Sequence, residues 1–180
     1  MVSLLIYLCE CKFNKLIALV QGGIQLNLNI VLFQPEIPQN TGNIARTCVL
    51  TNCKLHLIKP LGFSLDEKHL RRAGLDYWPY LDIEIYESYE ELRDKYKDGT
   101  FYFSTTHGHN YYDHAKFKEG DFIVFGRESS GLPDEIRNSD PEKCIRVPMI
   151  NTTTRSLNLS NTVAIVTYEA LRQMNFPNMK

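Results

Sequence analysis

Three short stretches of this chain combine polar side chains with glycines that let a backbone come close to a ligand. In Asn40-Thr-Gly-Asn-Ile-Ala-Arg-Thr47, Asn40 or Thr41 can cap a helix, and Gly42 permits close approach. Arg46 then projects from the second turn, either toward a ligand or as a solvated helix arginine. In Phe125-Gly-Arg-Glu-Ser-Ser-Gly-Leu-Pro133, Gly126 and Gly131 flank charged and hydroxyl residues. Such a loop can turn its backbone N–H groups toward a ligand, or its glycines can serve the turn alone. It has no Gly-Lys-Ser/Thr ending and no Gly-x-Gly-x-x-Gly, which excludes a P-loop and a dinucleotide fingerprint. In Arg155-Ser-Leu-Asn-Leu-Ser-Asn161, Ser156, Asn158 and Ser160 stand where a polar turn enters an apolar helix.

Two other groups invite chemistry less strongly. His107-Gly-His109 and His114 suggest metal ligands, but no nearby cysteine or carboxylate completes a set, so no metal is expected. Tyr77, Trp78 and Tyr80 can stack on a base, although such aromatics more often fill a core or an interface.

The elements that must position these residues alternate in type. Asn29–Phe33, Lys54–Ile58, Leu81–Ile85, Phe101–Phe103, Phe122–Phe125 and Cys144–Val147 read as six short, mainly apolar strands, of which Leu81–Ile85 alternates. Helices are expected over Thr41–Thr51, with Ile44, Cys48 and Leu50 apolar, and over Asp66–Ala73, carrying Lys68, Arg71 and Arg72. A capping box at Ser88–Glu91 opens another to about Tyr96, and a short one runs from Pro133 to Arg137. The last carries Leu159, Val163, Val166 and Ala170 on one face, widened by Ile165 and Leu171. This alternation predicts an α/β fold with a mostly parallel sheet and helices on both faces. Ligands in such sheets bind beyond the carboxyl ends of strands, here the polar turns after Phe33, Phe103, Phe125 and Val147.

A chain of 180 residues, 43% hydrophobic and 23% charged, suits one soluble domain with a core of its own. Five cysteines without a CxxC pair fit buried thiols in a reducing compartment. A net charge of −1 excludes coating of nucleic acid by bulk charge but not a grip by a few placed arginines. Residues 1–26 differ in pattern from the rest of the chain. Charged residues break their apolar runs well short of the roughly 20 residues a membrane span needs, and neither a basic start nor a good cleavage site marks a signal peptide. This stretch is read as an extension, with a single functional domain over 27–180 starting near Leu28.

Taken in this order, the three motifs resemble those of the SPOUT-class RNA methyltransferases, from Leu28 to about Phe176. Pro35-Glu-Ile-Pro38 and Leu70-Arg-Arg-Ala-Gly-Leu-Asp-Tyr77 are similar to the branch that methylates tRNA ribose at the wobble position. The resemblance implies a C-terminal trefoil knot whose loops hold S-adenosylmethionine. It implies cofactor contacts at Ser104, Gly126, Gly131, Val147, Ser156 and Leu157, with Leu132 and Met149 beside them. Ile150-Asn-Thr-Thr-Thr154 is slightly longer than the common form of this loop. The implied reaction is methyl transfer to the 2′-hydroxyl of cytidine or modified uridine in the anticodon loop, with tRNA-Leu as the expected substrate.

Arg46 matches the family's catalytic arginine. Because an arginine ordinarily loses its proton only above pH ~12, Arg46 is expected to clamp a phosphate and orient the hydroxyl rather than act as a free base. Arg155, Lys68, Arg71 and Arg72 are the expected grips on the tRNA backbone. The family also implies a homodimer with shared active sites, working in the cytoplasm without a membrane. The rival readings are a 2′-O-methyltransferase of ribosomal RNA and a knotted module that binds RNA without catalysis.

Overall fold

The computed structural model describes residues 27–64, 78–150 and 156–180. The extension over 1–26, the expected helix with Lys68, Arg71 and Arg72, and Arg155 lie outside the described residues. In chain order the elements are β1 (Asn29–Phe33), α1 (Pro38–Thr51), β2 (Lys54–Ile58), β3 (Ile83–Tyr86), α2 (Tyr89–Lys95) and β4 (Phe101–Ser104). After these come β5 (Asn110–Tyr111), β6 (Phe122–Phe125), α3 (Asp134–Arg137), β7 (Cys144–Arg146) and α4 (Leu159–Gln173).

The described strands make one seven-stranded sheet in the order β3-β2-β1-β6-β4-β7-β5, and every neighbouring pair is parallel. Successive strand residues point to opposite faces, and both faces are apolar. Ile30, Leu32, Leu55, Leu57, Ile123 and Phe125 pack under α1 and α4. Val31, Phe33, Phe103 and Val124 pack under α2 and α3, which contribute Leu92 and Ile136.

Several boundaries depart from the sequence reading, each for a local reason. Strand β5 is not among the six expected, because its two exposed residues carry no apolar alternation; it forms only by pairing with β7 at the sheet edge. Helix α1 begins at Pro38, not Thr41, and its N-cap, Ile37, makes no side-chain cap bond. Asn40 is therefore inside the helix and is not its cap. The capping box of α2 is present: Glu91 N donates to Ser88 Oγ at 3.3 Å, while the Glu91 carboxylate reaches past Ser88 to accept from Glu87 N at 2.8 Å. On α1, Ile44 and Cys48 are buried but Leu50 is 68% exposed. On α4, Val163, Val166, Ala170 and Leu171 are buried, whereas Ile165 and Tyr168 face outward.

One polar group sits deep in this apolar frame. His56 in β2 is fully buried, with Nε2 2.9 Å from Asn29 Oδ1 and Nδ1 3.2 Å from the Tyr86 hydroxyl. Asn29 Nδ2 is committed to Gly120 O, so Asn29 Oδ1 is the acceptor for an Nε2–H donor, while the Tyr86 hydroxyl beside Nδ1 gives its own proton to the Glu84 carboxylate. Burial, reinforced by Lys54, pushes the imidazole pKa down to about 3. Glu84 nearby pulls the other way but does not prevail. A folded-state pKa below the unfolded value near 6.5 means that the unfolded chain binds the extra proton first. Stability is thus complete above about pH 6.5 and falls as pH drops toward 3, by at most about 1.4 kcal/mol per pH unit for this one group. Urea denaturation at pH 7 and pH 5, above the range where carboxylates titrate, should show this loss; equal stability at the two pH values would contradict a buried neutral His56.

Candidate active site

All strands of a parallel sheet end on the same side, so the loops after β1, β4, β6 and β7 emerge together. They enclose a cavity of about 730 Å³, within the roughly 300–1,000 Å³ usual for small-molecule sites. Ile37 and Asn40 come from the chain after β1, Ser104 to His107 from that after β4, and Phe125 to Leu132 from that after β6. Val147 and Met149 come after β7, and Ser156 to Leu159 lead into α4. Ser104, Gly126, Gly131, Val147, Ser156 and Leu157, expected from motifs far apart in sequence, therefore line one space.

The loop after β6 is shaped by its glycines. A Cβ on Gly126 would run into the carbonyl carbon of Gly131 and the nitrogen of Leu132, so the chain folds back on itself at van der Waals distance only because that Cβ is missing. Gly131 has φ +71°, in the left-handed region that glycine adopts without steric cost. Arg127 N donates to Gly131 O at 3.1 Å and Gly131 N to Arg127 O at 2.9 Å, which closes the stem of the loop. The Arg127 guanidinium turns toward β1, where Nε donates to Gln34 Oε1 at 2.9 Å and the group lies 5.5 Å from the centre of the Phe33 ring.

A chain of hydrogen bonds joins the three motifs. The Glu128 carboxylate accepts from Glu36 N at 2.8 Å, Ile37 N at 3.2 Å and Asn40 Nδ2 at 3.0 Å. Asn40 Oδ1 in turn accepts from Asn158 Nδ2 at 2.9 Å. Asn158 is also the N-cap of α4, its Oδ1 accepting from Ser160 N at 2.9 Å and Asn161 N at 3.4 Å. In sequence, Glu128 reads only as loop charge and Asn40 as a cap. A lone carboxylate among turn residues, close to amide donors, is the available signal, but its partners lie about 90 residues upstream.

Arg46 is not brought into this cavity. It stands on the exposed side of α1 with Asn43 and Leu50, and α1 packs against α4, whose Ile165 and Tyr168 face outward. Of the aromatics considered for stacking, Trp78 packs half-buried against the core, Tyr80 is 41% exposed, and Tyr77 lies outside the described residues. His107 lines the cavity, and no cluster of three or more metal-ligating side chains occurs among the described residues.

A parallel sheet with a cofactor-sized cavity at its strand ends, built by these three motifs, defines a knotted α/β methyltransferase fold. The chain belongs to the SpoU rRNA Methylase family, whose model matches residues 27–168. It is 48% identical over 156 residues to the tRNA (cytidine(34)-2′-O)-methyltransferase of Yersinia pestis, covering 83% of this chain and 96% of that one. The enzyme of the same name from Methylovorus glucosotrophus is 49% identical over 149 residues, covering 82% and 96%. A solved structure described by its 2-OH methylation of C/U34 on tRNA superposes with a TM-score of 0.76 at 42% identity, over 82% of this chain and 96% of the other. The SpoU methyltransferase AviRb of Streptomyces viridochromogenes, solved with AdoMet, shares the fold at a TM-score of 0.73 and 21% identity, over 86% of this chain and 63% of that one.

The double duty of Asn158 can be separated by substitution. Asn158→Ala removes both the cap and the link to Asn40 and should cost about 1–2 kcal/mol in urea denaturation. Asn158→Ser keeps a capping oxygen but cannot span to Asn40. It should recover most of the stability, and equal losses for the two variants would show that capping is not what Asn158 contributes.

Proposed function

We propose that this chain binds S-adenosylmethionine in the cavity and transfers its methyl group to the ribose 2′-hydroxyl of nucleotide 34, cytidine or modified uridine, in tRNA, with tRNA-Leu as substrate. The observation that carries the reading is the convergence of Ser104, Gly126, Gly131, Val147, Ser156 and Leu157 on one cavity, in a chain of this family. The fit is chemical as well as spatial. Gly126 lets the loop after β6 fold back tightly on Gly131 and Leu132 at the cavity wall, exposed backbone from several loops can meet the hydrogen-bonding edge of an adenine, and Leu132, Met149 and Leu157 offer apolar contact. When bound, S-adenosylmethionine supplies an activated methyl group on a sulfonium, so no Lewis acid is needed.

The protein's own residues then have three tasks. The loops hold donor and acceptor in line and keep water out. The Glu128–Asn40–Asn158 chain keeps the three motifs in register. Arg46 clamps a phosphate next to the target ribose and orients the 2′-hydroxyl. Its position outside the cavity of its own chain supports a dimer in which Arg46 reaches the partner's site. Leu50 on α1 and Ile165 and Tyr168 on α4, all exposed on helices that pack together, supply apolar surface for that contact. Lys68, Arg71, Arg72 and Arg155 grip the tRNA backbone. The described cysteines are free and buried, which suits action in the cytoplasm, and no helix of the described residues is long and apolar enough to cross a membrane.

Mapping of 2′-O-methyl groups on tRNA from cells with and without the protein tests the reaction; nucleotide 34 of tRNA-Leu should lose its methyl group, and an unchanged map would overturn the proposal. Arg46→Lys should lose most turnover while S-adenosylmethionine binding, measured by calorimetry, persists. Near-normal turnover would remove Arg46 from the mechanism. Replacing Lys68, Arg71 and Arg72 together by glutamine should weaken tRNA binding and flatten its salt dependence. Sedimentation should show a dimer that Tyr168→Asp disrupts.

A further inference from the structure

The turn at the tip of the loop after β6 is exposed at Ser129, Ser130 and Gly131, so core packing does not hold it. Its stem is closed by the paired bonds between Arg127 and Gly131. Its tip is held from outside by Glu36. Ser129 N donates to Glu36 Oε2 at 2.9 Å, and Ser129 Oγ donates to Glu36 Oε1 at 2.8 Å. In return, Glu36 N donates to Glu128 Oε2 at 2.8 Å. The two loops thus exchange carboxylate–amide bonds in both directions, a charge-assisted arrangement stronger than neutral pairing.

Glu36 is itself backed by the chain beyond β2. Gly62 N donates to Pro35 O at 2.9 Å, and a Cβ on Gly62 would stand 2.7 Å from Glu36 Cα, so the two backbones are in direct contact. Ser129 and Ser130 form part of the cavity wall, whereas Glu36 does not line it. Any effect of Glu36 on a ligand must therefore pass through the turn it holds.

We infer that Glu36 is a positioning residue that fixes the Ser129–Ser130 turn in the shape that receives S-adenosylmethionine, and so sets cofactor affinity without taking part in methyl transfer. The inference rests on the reading of the cavity as the cofactor site. It makes a chemical distinction between variants. A glutamine at this position can still accept from Ser129 N through its amide oxygen, and its N–H can donate to the Ser129 hydroxyl oxygen. An alanine can do neither.

Calorimetric titration of S-adenosylmethionine into the full chain, paired with methyl-transfer kinetics on tRNA, tests this. Glu36→Ala should raise the cofactor Kd and KM on the order of tenfold while kcat at saturating cofactor stays near that of the unaltered protein. Glu36→Gln should retain most of the affinity, and Ser129→Ala should fall between the two. Unaltered affinity in Glu36→Ala would overturn the inference. So would a Glu36→Gln variant as impaired as the alanine, which would assign the effect to charge, or a fall in kcat with Kd unchanged. If Glu36→Ala does not fold, Ser129→Ala, which removes one exposed hydroxyl, decides alone: affinity equal to that of the unaltered protein would overturn the inference. Failure of the unaltered chain to bind S-adenosylmethionine would instead overturn the reading of the cavity.

Discussion

The Glu128 carboxylate is the group on which the site depends. It meets the backbone N–H groups of Glu36 and Ile37 and the side chain of Asn40 together, and through Asn40 it reaches Asn158 at the start of α4. A half-buried carboxylate offsets the cost of leaving water only when such donors surround it. Turns that belong to three separate parts of the chain are thereby held to one geometry. Each of these turns is exposed at its tip, so without the shared acceptor each would have its own conformational freedom.

The sheet makes that meeting possible. Strand β6 lies between β1 and β4, and β7 lies between β4 and β5, so sheet neighbours are distant in sequence. Because all the pairs are parallel, the chain leaves every one of these strands on the same side. The apolar packing on both faces holds the strands, and so fixes where their loops begin. The polar triad of His56, Asn29 and Tyr86 belongs to the same frame: it surrounds a buried imidazole inside the sheet and remains apart from the cavity.

The placement of Arg46 separates two kinds of surface. The cavity is a concave assembly of loops within one chain, suited to a small molecule. The two packed helices α1 and α4 instead expose Arg46 and Leu50 on the one and Ile165 and Tyr168 on the other. The apolar periodicity of α4 places Val163, Val166 and Ala170 inward correctly, but it also assigns Ile165 to the core. A helix with apolar residues on two sides reads the same whether its second side meets its own sheet or another surface.

The sequence by itself determined the alternation of strands and helices, the parallel sheet, and the identity of the motif residues that meet at the cavity. The first two come from local period and apolar runs; the motif residues come through the resemblance of three ordered motifs to a known family, helped by the glycines at Gly126 and Gly131, whose backbone demands are set by neighbours a few positions away. It did not reveal β5, because an edge strand of two exposed residues exists only through its pairing with β7. Nor did it reveal that Asn40 lies inside α1, or that Glu36 and Glu128 clasp each other's loops. Such bonds join residues about 90 positions apart, and no local pattern encodes a partner at that range. Only the tertiary structure, by bringing the strand ends together, decided which polar groups would meet and which, like Arg46, would face outward.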